Sequence, residues 1–546
     1  MKVLIIGGVA AGTKTAAKLM REDGNAEVTI LTKGKDISYA GCGLPYYVGE
    51  VIREKGQLIV NTPEKFSRLT GAKVMTGIEV TKVNREAKNV EAVNTETGET
   101  AVYGYDKLVI ASGASPIKPP LPGMDLKGIY FMRTPDDAAA LREAVESGSI
   151  RRAVVVGGGF IGLEVAENLA AKDIRVSVID MAPQILPGFA PELTEYVENH
   201  LADHGIMVFT GTRLEGFLGE EKVEKVQTSR KAMKADAVVL SIGIRANTAF
   251  LSDSGIELMP NRTVKVDRYM RTNDPDIYAL GDCATVTNKV TGEPQWSPMG
   301  SSANIEGRLL AQNLAGKEIP YGGVLGTAVC RLPELNVGRT GFTEETAKAA
   351  GFDPVSVVTV VDDKAHYYPG AGSFIVKMIA DKNTKKFLGI QVLGKGAVDK
   401  MVDIAVTALT LGASLEDLAN MDLAYAPPFS TAIHPFANTV NVLLNKMSGA
   451  YETLTPAQYA KDGVPEGYQL VDASAAPTIK GIPYLDLTKI NGPVEGYSQD
   501  AKLLLVCAKG KRAYLTQNRL KQHGYTNTLV LEGGTIFNTG ILENEE

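Results

Sequence analysis

Residues 153–162 read Ala-Val-Val-Val-Gly-Gly-Gly-Phe-Ile-Gly, an apolar run that ends in a glycine-rich turn. The apolar run predicts a buried strand, and Leu163 to Ala171 predicts a helix directly after the turn. Glycines there let the backbone approach a pyrophosphate, and the helix N-terminus supplies free N–H groups. The next strand, Arg175 to Ile179, closes with Asp180, at the spacing of a ribose-binding carboxylate. The stretch therefore predicts a dinucleotide site that prefers NADH to NADPH, because a carboxylate accepts a 2′-OH and repels a 2′-phosphate.

A second, less regular copy of this pattern opens the chain. Lys2 to Ile6 predicts a buried strand, residues 7–12 (GGVAAG) form the turn, and Thr13 to Arg21 predicts the helix. Val9 stands where a middle glycine is usual, and the second strand ends in Thr32-Lys33 where an acidic residue is expected. Taken alone, this unit is the weaker indication of nucleotide binding.

Two such units in series, the downstream one suited to NADH, predict that the upstream one holds a permanently bound FAD. Asp276 to Cys283 supports this as a short strand ending in Gly281-Asp282, since an aspartate at that place can hold a ribityl hydroxyl. Tyr105 to Gly113 and Val238 to Gly243 are each a strand followed by glycine. We expect them to be the crossings between the two nucleotide domains.

Cys42 stands alone in residues 38–46 (SYAGCGLPY), and the next cysteine is Cys283. Flavoenzymes that reduce disulfides through an internal dithiol carry a second cysteine a few residues further on. Cys42 must therefore exchange electrons or sulfur with the flavin or with a substrate's own sulfur. The alternative, a small buried hydrophobic residue, is the commoner fate of a free cysteine, but flanking glycines expose backbone rather than build a core.

The composition is that of an ordinary globular protein of several domains. Of 546 residues, 44% are hydrophobic and 22% charged, and the net charge of −6 gives no basic field for nucleic acid or an anionic membrane. The first residues predict a strand rather than a signal peptide, and no apolar run approaches the length of a membrane span. The cysteines at 42, 283, 330 and 507 are too far apart for a dithiol or zinc motif. We therefore expect free thiols, no metal and a cytoplasmic location.

Five motifs occur in the order seen in the pyridine nucleotide–disulfide oxidoreductase superfamily: residues 7–12, 42–46, 157–162, 281–282 and 425–429 (YAPPF). More narrowly, the chain resembles coenzyme A disulfide reductases that carry a C-terminal rhodanese domain and reduce coenzyme A persulfide or disulfide. The resemblance covers nearly the whole chain. It implies an α/β fold with two Rossmann-like nucleotide-binding domains, for FAD and NAD, an α+β dimerisation domain and a C-terminal rhodanese-like α/β domain.

The domain boundaries follow from these patterns together with the resemblance. The predicted domains are, in chain order, FAD-binding (1–115 and 241–320), NAD(H)-binding (116–240), dimerisation (321–446), a polar linker (447–467) and rhodanese-like (468–546).

The candidate cofactor-binding residues lie at the glycine turns, at strand ends and at the starts of the following helices. They are Gly7, Val9, Ala10, Gly12, Thr32, Lys33, Ser112, Gly113, Gly157, Gly159, Phe160, Ile161, Gly162, Glu164, Asp180, Gly243, Gly281, Asp282 and Ala303.

The resemblance implies a homodimer in which each interface domain completes the partner's active site. Tyr367 and Tyr425 match two tyrosines that approach the cysteine of the other subunit, where a phenol can donate a hydrogen bond or a proton to a leaving sulfur. For Tyr367, an interface aromatic without a chemical role is the alternative.

Family members hold coenzyme A with residues of the first helix and the cysteine loop. By position these are Lys18, Arg21, Ser38 and Gly41. Ordinary solvation is the alternative for the two cations on the helix, because lysine and arginine on a surface helix are usually solvated.

The chain departs from the family pattern at three places. Gly41 replaces a common asparagine before the cysteine, which bears on how a coenzyme A group is gripped. Phe160 replaces the tyrosine that often covers the flavin where nicotinamide stacks, so a ring is kept and a hydroxyl lost. His434-Pro435 stands where Asp-Pro is frequent. His434 is therefore a candidate proton donor at the sulfur site, with a hydrogen-bonded interface histidine as the alternative.

A small α/β unit is predicted at the end of the chain. Gln469 to Asp472 and Lys502 to Val506 predict strands, and the second strand ends directly in Cys507. A helix to about His523 and a last strand, Thr528 to Leu531, follow. A thiolate or persulfide between a strand and a helix N-terminus is stabilised by backbone N–H groups and the helix dipole.

The loop Cys507-Ala508-Lys509-Gly510-Lys511-Arg512 is similar to the sulfur-carrying loop of rhodanese domains. Lys509, Lys511 and Arg512 are expected to add positive charge, and Cys507 to supply or receive sulfane sulfur. The alternative is a degenerate rhodanese fold kept as an appendage, because residues 473–481 lack the usual acidic and histidine-containing stretch.

Our leading hypothesis is an FAD-dependent NADH oxidoreductase that reduces coenzyme A persulfide, or the disulfide or a polysulfide, at Cys42 with Cys507 as sulfur carrier. The rival is an NADH oxidase or NADH peroxidase in which Cys42 cycles through a sulfenic acid. Those enzymes usually place a histidine in the first glycine turn, where this chain has Ala10. A redox sensor is disfavoured because Asp180 and the intact second turn imply turnover with NADH.

Overall fold

The computed structural model describes residues 1–543, so the last three residues of the predicted domain 468–546 lie outside the described part. The chain divides into two compact units. The first contains Met1–Ile185 and Ala202–Val324, and the second contains Leu186–Leu201 and the chain from Leu325 onward. Within the described residues, no helix is both long and apolar enough to cross a membrane.

The first unit contains two five-stranded sheets, each built around a strand that leads into a glycine turn. In spatial order, the strands of the first sheet are Ile277–Ala279, Lys107–Ile110, Lys2–Ile6, Glu27–Thr32 and Lys73–Thr76. Those of the second sheet are Ile206–Phe209, Arg175–Ile179, Arg152–Val156, Ala237–Leu240 and Ile129–Tyr130. All pairings within both sheets are parallel, and apolar residues fill the central strands because helices cover the sheets. The two predicted Rossmann-like units are therefore present.

The short strands that follow the two predicted crossings pair with each other. Ala114–Pro116 follows the first crossing and lies antiparallel to Ile244–Ala246, which follows the second. Three smaller antiparallel sheets complete this unit: Ile78–Asn84 with Asn89–Asn94 and Thr100–Gly104; Leu214–Leu218 with Lys225–Thr228 and Met233–Lys234; and Val286–Thr287 with Pro294–Gln295.

The helices of the first unit begin at the turns that the sequence indicates. They span Ala10–Glu22, Leu44–Val48, Pro63–Thr70, Pro135–Glu146, Phe160–Ala170 and Gly300–Leu314. Gly307 allows the last of these to lie tightly on the first, because a Cβ there would lie 2.9 Å from the Ala11 carbonyl oxygen. This contact brings the end of the predicted FAD domain onto its beginning.

The second unit is built around a five-stranded antiparallel sheet. Its strands in spatial order are Ala328–Leu332, Leu335–Gly341, Phe387–Gly394, Ser373–Asp381 and Pro354–Asp362. We call Pro354–Asp362 the edge strand, since it has a partner strand on one side only. The helices of this part are Glu344–Ala349, Val398–Leu411, Leu415–Ala419 and Pro435–Met447.

The sequence predicts one uninterrupted NAD(H)-binding domain from 116 to 240, but residues Leu186–Leu201 group with the second unit. They contain most of the helix Pro191–Asp203, whose Glu192 pairs with the buried Lys377 at 2.5 Å. The Ala190 N–H also donates to Gln391 Oε1 at 2.7 Å. Lys377 also pairs with Glu344 at 2.6 Å, so two carboxylates compensate this buried ammonium, and one of them attaches the helix to the antiparallel sheet.

The end of the described chain forms a four-stranded parallel sheet in the order Thr453–Leu454, Thr528–Leu531, Leu503–Val506 and Gln469–Asp472. Its helices are Pro456–Asp462, Lys511–Gln522, Gly534–Phe537 and Gly540–Glu543. The linker expected at 447–467 is wrong in its central part, which supplies a strand and a helix. Thr455 caps that helix in a reciprocal capping box with Gln458, a sequence signal that the polar composition obscured.

A buried carboxylate attaches this C-terminal sheet to the edge strand. Glu532 is 0% exposed and accepts hydrogen bonds from Lys446 Nζ at 2.6 Å, Thr453 Oγ1 at 2.6 Å and the Val358 N–H at 2.8 Å. Lys446 Nζ also donates to the Ser356 carbonyl at 2.8 Å. The two side chains of this ion pair thus bond to one N–H and one C=O of the edge strand. The strands of the C-terminal sheet do not themselves pair with the edge strand.

We expect Glu532→Gln to destabilise the second unit by about 3 kcal/mol, because removing one partner leaves the Lys446 charge poorly compensated. The measurement is the midpoint of urea unfolding of the full chain. Glu416→Gln is the matched control, since Glu416 pairs with Lys385 on the surface and such pairs contribute about 0–1 kcal/mol. Equal midpoints for the two variants would contradict the structural role of Glu532.

Candidate functional site

The first glycine turn passes very close to the neighbouring crossing. A Cβ at Gly7 would lie 2.0 Å from the Ala111 carbonyl oxygen, and a Cβ at Gly12 would lie 1.9 Å from that of Gly7. The helix already begins at Ala10, with Val9 as its N-cap residue. Glycine is therefore needed at the two ends of the turn, whereas the middle positions tolerate Val9 and Ala10.

The second turn repeats this geometry. A Cβ at Gly157 would lie 2.3 Å from the Ser241 carbonyl oxygen, and a Cβ at Gly162 would lie 2.0 Å from that of Gly157. A Cβ at Gly159, by contrast, would meet no protein atom within 4 Å, so open space remains at the start of the helix. Such a space beside free N–H groups fits a dinucleotide pyrophosphate.

Asp180 lies directly against this turn. Its Oδ2 accepts the Gly158 N–H at 2.7 Å, and its Oδ1 accepts the Ala182 N–H at 2.8 Å. Both oxygens keep further acceptor capacity, so the carboxylate fits the ribose-binding role. Phe160 and Ile161 open the helix that follows, and Ile161 is exposed.

Predicted FAD-binding residues from distant parts of the sequence meet at Gly281. A Cβ at Gly281 would lie 3.0 Å from Ala11 Cβ and 3.7 Å from Ala303 Cβ. Its N–H donates to Glu306 Oε2 at 2.9 Å, and burial raises the pKa of Glu306 to about 7. The next residue, Asp282, pairs with Arg133 Nη2 at 2.9 Å. The strand end, the first helix and the later helix thus converge as an FAD site requires.

The remaining predicted cofactor residues lie at the crossings and at the end of the second strand. Ser112 Oγ donates to the Asn247 carbonyl at 2.7 Å, and Gly113 and Gly243 have positive φ angles that favour glycine. Thr32 is buried, and Lys33 pairs with the Glu79 carboxylate at 2.9 Å. Lys33 therefore brings a carboxylate to the place where a ribose-binding acidic residue is usual.

Cys42 lies in a single helical turn, Gly41–Gly43, directly before the helix Leu44–Val48. Its side chain is exposed, unlike those of Cys283, Cys330 and Cys507. Partial burial raises the pKa of the Cys42 thiol, and the Glu164 and Asp282 carboxylates raise it further, whereas Arg133 lowers it. Cys42 is thus near a charged residue of each nucleotide unit.

The cysteine helix is attached to the helix of the second nucleotide unit by a phenol and a carboxyl. Tyr46 donates to Glu164 Oε1 at 3.0 Å. Burial raises the pKa of Glu164 to about 7, although the Tyr46 hydrogen bond lowers it. Gly49 permits the close approach, since a Cβ there would lie 2.0 Å from Asn168 Oδ1.

The predicted coenzyme A residues have mixed surroundings. Lys18 pairs with Glu22, and together with Lys317 it lowers the pKa of that carboxyl to about 2. Arg21 is exposed in the last turn of the same helix. Lys18 therefore already has a carboxylate partner, and coenzyme A binding by Lys18 and Arg21 stays a prediction.

The cysteine loop contains the other two predicted coenzyme A residues, Ser38 and Gly41. Ser38 has a φ of 48°, and its N–H donates to the Gly8 carbonyl at 2.9 Å, so the loop is attached to the first glycine turn. A Cβ at Gly41 would meet nothing within 4 Å. The side chain that is common in the family would thus fit there without a clash.

In the second unit, the two predicted tyrosines lie together. Tyr367 is 66% exposed and Tyr425 is 50% exposed, and a hydrogen bond with Tyr367 raises the pKa of Tyr425. His434 is 5% exposed and caps the helix Pro435–Met447, with its Nδ1 accepting the Phe436 N–H at 3.2 Å. Burial lowers the pKa of His434 to about 4, and the positive charge of Lys400 contributes to this shift. His434 is therefore neutral at pH 7 and has a structural role, and its use as a proton donor stays a prediction.

Cys507 follows its strand and lies at the start of the helix Lys511–Gln522, as predicted. Its side chain is 4% exposed, and its Sγ accepts the Ala513 N–H at 3.3 Å. Gly510 has a φ of 80° and precedes the helix. The first turn of this helix thus presents one backbone donor to the sulfur.

The cations of this loop are bound elsewhere. Lys509 donates to Asp362 and Ser373, and Arg512 donates to the Ser474 carbonyl at 3.0 Å and to Asp486 at 3.2 Å. Lys511 is exposed. Ala508 completes the loop, and its carbonyl accepts the Ile536 N–H. Positive charge at Cys507 from Lys509 and Arg512 is therefore partly compensated by carboxylates.

Sequence reasoning missed Arg133 and Glu306, which contact the predicted FAD residues. The capping box of Thr134 with Asp137 marks the helix start beside Arg133 and was a usable signal. Glu306 lies in an ordinary helical pattern, and only the packing of that helix on the first helix reveals its burial. Among the described residues, no group of three or more His, Cys, Asp or Glu side chains could hold a metal ion.

Comparison with known proteins agrees with this geometry. Residues 1–302 match the family model described as pyridine nucleotide-disulphide oxidoreductase, and residues 328–437 match the model of the corresponding dimerisation domain. The first match ends within the helix that carries Ala303, and the second covers the antiparallel sheet.

The similar proteins include enzymes named as NADH oxidases and enzymes named as persulfide reductases. An NADH oxidase of Methanocaldococcus jannaschii is 34% identical over 82% of this chain and 100% of its own length. An NAD(P)H coenzyme A polysulfide/persulfide reductase of Pyrococcus horikoshii is 34% identical over 81% of this chain and 98% of its own. The solved structure of an NAD-dependent persulfide reductase from A. fulgidus is 34% identical, covers 98% of this chain and 100% of its own, and has a TM-score of 0.93.

We expect Gly159→Ala to fold normally but to raise the KM for NADH by roughly tenfold or more, because its methyl group enters the space beside the helix N-terminus. The measurement is the NADH dependence of bound-flavin reduction, together with thermal unfolding. Gly24→Ala is the matched control, since Gly24 also has no neighbour within 4 Å. An unchanged KM in Gly159→Ala would place the dinucleotide elsewhere.

We expect Glu164→Gln to speed the alkylation of Cys42 by iodoacetamide at pH 8 by about two- to tenfold, because removing a negative charge lowers the thiol pKa. The difference should shrink below about pH 7, where wild-type Glu164 becomes protonated. Mass spectrometry at the Cys42 peptide gives the rates. Glu257→Gln, which removes an exposed carboxylate paired with Lys265, should leave the rate unchanged; an equal increase in both variants would contradict the assignment.

Proposed function

The chain belongs to the pyridine nucleotide-disulphide oxidoreductase family and is an NAD(P)H-dependent flavoprotein disulfide or persulfide reductase, and from that premise we propose that it reduces coenzyme A persulfide at Cys42. Coenzyme A disulfide and polysulfide are further substrates of the same site. The observation that carries the proposal is that Cys42 is an exposed single thiol, near enough to the Glu164 and Asp282 carboxylates for both to raise its pKa.

FAD and NADH fit the residues that are present. The turn 7–12, Asp282 and Ala303 would hold FAD, and the turn 157–162 with Asp180 would hold NADH. When bound, FAD takes a hydride from NADH and supplies an electron pair to sulfur, and the protein orients the reacting groups. Phe160 is expected to cover the nicotinamide pocket.

Cys42 performs the sulfur chemistry as a thiolate. Its sulfur attacks the outer sulfur of coenzyme A persulfide, the S–S bond breaks, and coenzyme A leaves as its thiolate while Cys42 carries the persulfide. An electron pair then cleaves that persulfide, returning the Cys42 thiolate and releasing sulfide. Attack on the inner sulfur expels hydrosulfide, and attack on coenzyme A disulfide expels one coenzyme A thiolate. Either attack gives a mixed Cys42–coenzyme A disulfide, which an electron pair cleaves to the Cys42 and coenzyme A thiolates.

The raised pKa of Cys42 means that this thiolate needs help. Arg133 is the neighbouring cation that lowers the pKa, and protonation of Glu164 removes the negative charge by which Glu164 raises it. A homodimer would add Tyr367 and Tyr425 of the partner subunit, whose phenols donate to the leaving sulfur. The matched dimerisation domain and the exposed tyrosine pair support this arrangement.

The C-terminal domain would act as a rhodanese-type sulfur carrier. Cys507 lies between a strand and a helix and accepts a backbone hydrogen bond, an environment that stabilises a thiolate or persulfide. Sulfane sulfur on Cys507 would pass to coenzyme A or be received from it. The solved persulfide reductase of A. fulgidus, which covers 98% of this chain, supports a role for the whole chain in this chemistry.

A second candidate is an NADH oxidase or peroxidase that uses a Cys42 sulfenic acid. The NADH oxidase of Methanocaldococcus jannaschii, with 34% identity, favours it. Ala10 stands against it, because those enzymes usually carry a histidine in the first glycine turn.

Anaerobic NADH consumption by the FAD-loaded protein separates the two candidates. We expect rapid turnover with coenzyme A persulfide and with coenzyme A disulfide, and a loss of at least about a hundredfold in Cys42→Ser, because serine cannot accept sulfur. Turnover with hydrogen peroxide alone would establish the oxidase–peroxidase candidate instead.

Two further variants complete this experiment. Cys507→Ser tests the sulfur carrier, and it should slow turnover fed by an external sulfane donor through coenzyme A. Cys283→Ser is the control for Cys42→Ser, because Cys283 is buried and its thiol donates to the Ile110 and Leu280 carbonyls at 3.4 and 3.3 Å.

A further inference from the structure

The edge strand and its neighbour are joined by a hairpin that carries one of the two tyrosines. We call residues 362–373 the tyrosine hairpin. Asp362 and Ser373 face each other at its base as paired residues of the two strands. One residue further on, the Asp363 N–H donates to the Gly372 carbonyl at 3.0 Å, and Asp363 Oδ1 accepts the Gly372 N–H at 2.8 Å.

Beyond this closed base the hairpin projects into solvent. Tyr367 near its tip is 66% exposed, and it lies close enough to Tyr425, which comes from a different segment, to raise the pKa of that phenol. Local turns, such as the Tyr368 N–H to the Ala365 carbonyl at 2.8 Å, shape the tip. The direction in which Tyr367 points therefore depends on how the base is held.

A lysine of the C-terminal cysteine loop holds both sides of the base. Lys509 Nζ donates to Asp362 Oδ1 and to Ser373 Oγ, the latter at 3.0 Å. The Lys509 and Asp362 side chains are each about one-third exposed, so their charge-assisted hydrogen bond is partly shielded from water. One ammonium group thus joins two strands of one domain to a loop of another.

The domain that carries Lys509 is also attached to the same strand at a second place. Glu532 accepts the Val358 N–H four residues before Asp362, and it pairs with Lys446. The C-terminal domain therefore contacts the edge strand at two points. Because the domain is attached to the strand at both points, the Lys509 side chain has a set position rather than the free motion of a surface lysine.

We propose that Lys509 is a positioning residue for the reductase reaction, acting through Asp362 and Ser373 on the hairpin that presents Tyr367. This inference rests on the proposed function, in which Tyr367 works beside Cys42 of the partner subunit. The C-terminal domain then has a second role besides sulfur transfer, namely to position the hairpin. This role extends to substrates such as coenzyme A disulfide, which carry no sulfane sulfur.

The kinetic test uses the FAD-loaded full chain with NADH and coenzyme A disulfide. We expect Lys509→Met to lower kcat/KM for the disulfide by about tenfold or more without changing the KM for NADH, because the misplaced group is not at the NADH site. Asp362→Asn should give the same loss, and Lys509→Arg should restore most of the activity. In a Tyr367→Phe background, Lys509→Met should add little, because it acts through Tyr367.

Lys521→Met is the matched control. Lys521 lies in the same domain, is partly exposed, and contacts the Gly449 carbonyl and Glu452, away from the hairpin. Its replacement should leave the kinetics unchanged.

A readout that needs no turnover follows the hairpin itself. Hydrogen exchange of the amides in residues 363–372 should become about tenfold faster in Lys509→Met and stay unchanged in Lys521→Met. If the wild type turns over and neither exchange nor kcat/KM responds to Lys509→Met, the inference is overturned. Faster exchange with unchanged kcat/KM also overturns it, and the proposed function stands.

A wild-type enzyme that does not reduce coenzyme A disulfide or persulfide overturns the proposed function instead. The exchange data then decide separately whether Lys509 holds the hairpin, and unchanged exchange would reject that contact as well.

Discussion

The nucleotide half of the molecule depends on two close backbone crossings that only glycine permits. Gly7 lies against the Ala111 carbonyl and Gly157 against that of Ser241, with no room for a side chain at either place. At the second turn, the helix that follows starts beside open space at Gly159, into which its free N–H groups point. Cys42 acquires its position from the same arrangement, since its loop is bonded to the first turn and its helix to Glu164.

The second unit is organised along one strand. Residues 354–362 receive the Glu532–Lys446 pair near the middle and Lys509 at the end, so the C-terminal sheet and the tyrosine hairpin share a single support. Both contacts are ionic and partly or fully buried, which makes them sensitive to the loss of one partner. The Cys507 loop and the hairpin that carries Tyr367 are thereby attached to the same strand.

The sequence predicted best what is encoded locally. Strand, glycine turn and helix follow one another within thirty residues, so both nucleotide units, the crossings and the Cys507 loop could be recognised from their patterns. The pairing of Arg133 with Asp282 could not, because the two residues are far apart in the chain and the capping box beside Arg133 marks only the start of a helix. The helix Pro191–Asp203 was assigned to the wrong unit for a similar reason: its amphipathic pattern does not show that Lys377 is its partner. Glu532 carries no signal of burial in a segment that ends in two glycines.

The edge strand has a consequence for how this protein can be divided. An exposed strand edge presents unpaired N–H and C=O groups that invite pairing with another chain, and here side chains of the C-terminal sheet and of the helix Pro435–Met447 cover part of it. A chain cut before Thr453 keeps both nucleotide units but loses Glu532 and uncovers Val358. Such a fragment would tend to aggregate through that edge, so the C-terminal domain also serves as a built-in solubility factor for the rest of the enzyme.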